Sequence, residues 1–167
     1  RPVQLLKALA SFANGLRFDT LATLLRHPDI ESYVAAHTAS GSRHFLTLLD
    51  RYATDHLAAR PVGGWLGKQA QAMQAVYQTV MKLIPEQAGT LGALHEWAEP
   101  IAAVLREVYG QQTLQRYAQS DRPLVVALEQ LAEALQKLAG VEPEISPHCT
   151  FAQAVTLLIG QVSGQSI

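Results

Sequence analysis

Helical periodicity constrains this chain more than any other feature. Apolar residues return at i, i+3 and i+4 in nearly every segment, and no segment alternates with the period of 2 that a strand needs. Residues 16–30 are the sharpest case. Leu21, Leu24 and Leu25 share one helical face, which leaves Arg17, Thr20 and Arg26 outside it. Pro28 then ends or restarts the helix, because proline has no N–H to donate and holds His27 in extended geometry. Arg26 and His27 are therefore expected at a helix C-terminus, where positive charge suits the dipole. Asp29 and Glu31 are expected in the first turn of a second short helix, where negative charge suits it. This helix-Pro-helix corner should bury Leu24 and Leu25 and turn Arg26 outward.

The same reading extends along the chain. A first helix is expected over Pro2 to Ala13, with Leu5, Leu6, Leu9 and Phe12 in period and Asn14-Gly15 as its stop. Ser40 or Ser42 should cap a helix striped by Phe45, Leu48, Leu49 and Tyr52, and residues 58–64 should form a loop. Trp65 to Ile84 predicts a helix with Met73, Val76, Tyr77, Val80 and Ile84 on one face. Thr90 should cap a helix through Leu94, Trp97, Ile101, Leu105 and Val108, and Pro100 implies a kink or two helices meeting there. Ser120 or Asp121 should cap a helix striped by Leu124, Leu128, Leu131, Leu135 and Leu138 and closed by Gly140. After a loop over 141–149, Thr150 and Gln153 form a capping box for a last helix that buries Phe151, Val155, Leu158 and Val162. The expected architecture is all-α, an irregular bundle of about seven to eight helices without a sheet.

At 167 residues the chain suits one domain that can bury a core without metal or disulfides. A lone Cys149 allows no internal disulfide and no cysteine-based zinc site, which fits a soluble protein in a reducing, cytoplasmic setting. No apolar run approaches the roughly 20 residues of a membrane helix. The chain opens at Arg1-Pro2 without methionine, and residues 163–167 read as a linker. The expectation is a single helical domain over 1–162 with a tail at 163–167, cut from a longer protein.

Catalytic and ligand-binding patterns are weak. Gly63-Gly64-Trp65-Leu66-Gly67-Lys68 has glycine and lysine, but Gln69 stands where a P-loop needs a metal-binding hydroxyl, and the spacing is wrong. Histidines 27, 37, 44, 56, 95 and 148 form no pair that would present two ligands on one helix face. Glu96, Glu99, Glu107, Glu129 and Glu133 have no base or nucleophile placed beside them by spacing, and Ser146, His148 and Cys149 crowd together in a manner unlike a catalytic pair. No enzyme activity, cofactor or metal is expected of this chain.

Arg17-Phe18-Asp19 followed by Leu24-Leu25-Arg26-His27-Pro28-Asp29, with Leu48-Leu49-Asp50-Arg51-Tyr52 and His56-Leu57, resembles a segment of the AddB/RecC-like family. Its members are inactivated superfamily 1 helicases that usually carry a PD-(D/E)XK nuclease domain. The resemblance covers about the first sixty residues, and the family's catalytic motifs lie outside the chain. It implies a 2B-like helical insertion of a larger double-strand-break repair protein, an ATP-dependent exonuclease subunit that works on DNA with a helicase partner subunit. Charge is consistent with that expectation. Residues 1–84 hold nine cations against five carboxylates, net +4, and residues 85–167 hold four against nine, net −5. A basic face toward DNA would use Arg17, Arg26, Arg43 and Arg51 as candidate contacts. A helical protein-interaction module with no nucleic-acid role is the alternative.

Overall fold

The computed structural model describes residues 1–38, 44–56 and 64–164. The chain is broadly all-α, with eight α-helices among these residues. Helix α1 (Pro2–Ala13) starts with proline where an N–H would be orphaned anyway, and it buries Leu5, Leu6, Leu9 and Phe12 completely. Its exit differs in detail from the expected glycine stop. The amides of Gly15 and Leu16 both donate to the Phe12 carbonyl, at 3.3 and 2.8 Å, and Leu16 takes the left-handed φ of 49°. A leucine there costs about 1–2 kcal/mol of backbone strain, which its packing against the core offsets.

Helices α2 (Phe18–Leu25) and α3 (Pro28–His37) form the corner. Leu21, Leu24 and Leu25 are fully buried, and Arg26 is the exposed C-cap of α2. His27 is not a second C-terminal cation. It is extended, at φ −70° and ψ 127°, and it is the N-cap of α3, its Nδ1 accepting the Asp29 amide at 3.3 Å. A nitrogen that accepts must be unprotonated, so His27 serves the following helix as a neutral acceptor.

Helix α4 (Phe45–His56) buries Phe45, Leu49 and Tyr52. Its expected serine caps, and most of the loop expected after it, lie outside the described residues. Helix α5 (Ala70–Met81) begins later than the expected start at Trp65, because Gly64 and Gly67 adopt φ values of 119° and 76° that α-helix excludes. Trp65 instead inserts its ring among Phe18, Tyr52 and Tyr77, with centroids 5.0 to 6.3 Å away.

The expectation of no sheet is overturned on a small scale. Strand β1 (Gly92–Ala93) pairs antiparallel with β2 (His148–Cys149), Gly92 opposite Cys149 and Ala93 opposite His148. Two residues per strand are too few to show alternation. Nearby bonds pin this pairing: Trp97 Nε1 donates to the Cys149 carbonyl at 2.9 Å, and the Leu94 amide to the Pro147 carbonyl at 2.8 Å. Thr90 is not a cap, since its hydroxyl donates backward to Gln87, and the Ala93 amide is met by Glu96 at 3.0 Å. Of the two outcomes expected around Pro100, a kink or two helices meeting, the structure has the second. A 3₁₀ turn over Leu94–Trp97 hands over to α6 (Ala98–Tyr109), placing Pro100 in the first α-helical turn.

Helix α7 (Arg122–Ala139) packs on α6, and α8 (Phe151–Gly164) packs on α1 and α7. The Asp121 side chain accepts the Gln115 amide at 3.0 Å rather than capping α7. The capping box of α8 is present: the Thr150 amide donates to Gln153 Oε1 at 2.9 Å, and the Gln153 amide to Thr150 Oγ1 at 3.4 Å. Helix α8 continues through Ser163 and Gly164.

Candidate functional site: a groove between two helices

Helices α6 and α7 each carry an apolar stripe along their shared side, buried at Ala98, Leu105, Tyr109 and Leu135 and open to solvent at Ala102, Leu128, Ala132 and Ala139. On α6 it is Ala98, Ala102, Leu105 and Tyr109, and on α7 it is Leu128, Ala132, Leu135 and Ala139. Both stripes step by four, three and four residues, which keeps each on one face over three turns. Alanine at half of these positions keeps the two helices from filling the space between them. The result is an open groove of about 660 Å³, with His95, Glu96, Glu99, Arg106 and Gln136 at its edge.

Tyr109 joins this groove to the corner. Its ring lines the groove while its hydroxyl donates to Asp29 Oδ2 at 2.7 Å, across 80 positions of sequence. Asp29 is 2% exposed, and its other oxygen pairs with the Arg1 guanidinium. His27 Nδ1 lies 3.8 Å from the same carboxylate. Burial pushes the Tyr109 phenol up, and the bond to Asp29 adds to the effect, so the phenol stays a donor. Burial lowers the His27 imidazole, with the Asp29 carboxylate pulling weakly the other way. A parallel contact joins α3 to α6: the Tyr33 hydroxyl donates to Glu107 Oε1 at 3.1 Å, and burial with that bond raises Tyr33 to about 12.

At one end of the groove His95 meets Ser146. The Ser146 hydroxyl accepts the His95 amide at 3.2 Å and lies 3.0 Å from Nδ1 of the same residue. This brings a serine to a histidine across 51 positions, which spacing along the chain could not reveal. The hydroxyl is buried and tied to backbone, so the pair acts as a clasp between the β2 loop and the 3₁₀ turn. Cys149 is buried too, and burial pushes its thiol up, away from the reactive thiolate. Among the described residues no cluster of three metal-ligating side chains occurs, and no helix is long and apolar enough to cross a membrane.

The four arginines singled out by charge lie on the other half of the chain. Arg17 pairs with Asp19 at 2.9 Å, and Arg26 pairs with Asp50 while Nη1 donates to the Ala22 carbonyl at 3.1 Å. Asp19 raises the Arg17 guanidinium and is itself held low by it. Arg51 is exposed on α4, next to Asp50, and Arg43 lies outside the described residues. Two of the three described arginines thus carry an acid of their own. In comparisons with protein-family models, curated proteins and solved structures nothing matches the chain, so the AddB/RecC-like resemblance rests on the sequence words that suggested it.

Proposed function

We propose that this chain is a non-catalytic helical module that receives a helix of a partner in the groove between α6 and α7. One observation carries the reading: between the two facing stripes an open groove leaves Ala102, Leu128, Ala132 and Ala139 in contact with solvent. Burying an apolar stripe in such a groove is a recurrent way to recognise a helix. The buried, unreactive Cys149 suits a reducing, cytoplasmic setting, and the module needs no cofactor.

The test uses ¹⁵N-labelled chain titrated with an uncharged model helix bearing leucine at i, i+4 and i+7. Amide shifts should concentrate on residues 98–109 and 128–139 and vanish in Ala132→Phe, whose ring fills the groove from an exposed position. Shifts scattered over the surface, or none, would remove the reading.

A second reading is kept by the resemblance and the basic first half of the sequence. In it the module is the 2B-like insertion of a break-repair helicase-nuclease, whose partners are the rest of the parent chain, a helicase subunit and DNA. That reading and the groove are compatible, because Arg17, Arg26 and Arg51 lie away from α6 and α7, at α2 and α4.

A further inference from the structure

We propose that the groove selects a partner protein's amphipathic helix whose apolar stripe is edged by lysine or arginine. The inference rests on the groove reading and adds its charge. Just outside the lining positions come Glu99 and Arg106 on α6 and Gln136 on α7, with Glu129 and Glu133 further along the exposed side of α7 and Glu96 at the end. Arg106 pairs with Glu99, and Arg116 pairs with Glu129 at 2.9 Å. Glu96 and Glu133 have no cation paired with them among the described residues. Glu96 spends one oxygen on the Ala93 amide, which satisfies a hydrogen bond but leaves the charge in place. Four carboxylates against Arg106, Arg116 and the exposed Lys137, one turn past Glu133, give this side of the groove a net charge of −1, within a C-terminal half of net −5.

The same geometry sets the length and texture of the occupant. Lining positions spread over eleven steps of helix cover about 16 Å, so three turns of partner suffice. Because Ala98, Ala102, Ala132 and Ala139 leave the room, the partner supplies the bulk: leucine or phenylalanine at i, i+4 and i+7, with cations beside them to meet Glu96 and Glu133.

Three peptides of about 16 residues decide this, alike in apolar stripe and differing only in flanking lysine, glutamine or glutamate. Binding to the full chain is measured by calorimetry at low salt and again at about 0.3 M. Affinity should fall in the order lysine, glutamine, glutamate, with roughly a tenfold span at low salt that narrows as salt rises. The double variant Glu96→Gln, Glu133→Gln should compress the span while keeping the Ala93 hydrogen bond available. Equal affinities that are still lost in Ala132→Phe would overturn the charge preference and leave the groove reading standing. No binding by any peptide, or binding indifferent to Ala132→Phe, would remove both. Self-association in sedimentation that Ala132→Phe abolishes would assign the groove to a second copy of the chain and overturn the proposal.

Discussion

The α2–α3 corner and the α6–α7 pair are built from the same kind of amphipathic helix, yet they use it oppositely. In the corner every leucine of the stripe points inward and is fully buried: Leu21, Leu24 and Leu25 lie under α1, with Ile30 and Val34 continuing the core along α3. In the pair the apolar surface of each helix runs past the core, at Ala102 on α6 and more widely on α7. Ile101, Val104 and Val108, or Leu131, Ala134 and Leu138, face the core, while Leu128, Ala132 and Ala139 face the groove and keep solvent contact. An apolar stripe is thus buried to the last leucine in one region and left partly open to solvent in the other.

The largest expected effect separates the two regions directly. Leu25→Ala removes a side chain with no exposed surface and should cost about 2–5 kcal/mol in urea unfolding. Leu128→Ala removes one that is only half-buried and should cost less than about 1.5 kcal/mol. Similar losses at both positions would mean that the groove is already part of the core.

How far the sequence carried each region follows from the range of the forces involved. Helix α1 was legible to the residue, as were the buried stripe of α2 and the capping box of α8, because periodicity and caps act within a few positions. The late start of α5 was not, since the conformation of Gly64 and Gly67 depends on where Trp65 finds an aromatic core. Nor were the bonds from Tyr109 to Asp29 and from His95 to Ser146, which join residues that helical spacing cannot relate. The groove did leave a signal. Ala102 on α6 and Ala132 and Ala139 on α7 stand at helical spacing beside larger apolar residues, and small residues at such spacing are a trace of space held open.

A smaller effect is expected from His27, which ties the corner to the buried carboxylate. Burial depresses its folded-state imidazole below the usual value of about 6.5. The unfolded chain therefore binds a proton that the folded chain refuses. Stability from this residue is complete above that value and is lost as pH falls below it, until the folded-state imidazole also titrates. His27→Asn keeps an acceptor for the Asp29 amide but cannot titrate. The variant should therefore lose less stability than the parent chain between neutral pH and mildly acid pH, measured by denaturant midpoint. A parent chain no more acid-sensitive than the variant would place His27 in a solvated setting.

Arg26 should matter least for stability and most for the DNA reading. Its pair with Asp50 joins two side chains that are 50% and 63% exposed, so water screens it, and Arg26→Ala should cost less than about 1 kcal/mol. The same pair bears on nucleic acid. Each phosphate neutralised on a single strand adds about −0.7 to the log-log salt slope, and Arg17 and Arg26 are each matched to a carboxylate before any strand arrives. With both pairs intact, Arg43 and Arg51 are the candidate contacts left, and the slope should be no steeper than about −1.4, with affinity in the non-specific range of about 10⁻⁴ to 10⁻⁶ M or weaker. A slope steeper than about −2 that falls back in Arg26→Glu would show that these ion pairs open onto DNA. The basic half would then be a working surface, and the contrast with the groove would be between two binding faces instead of between a finished core and an open one.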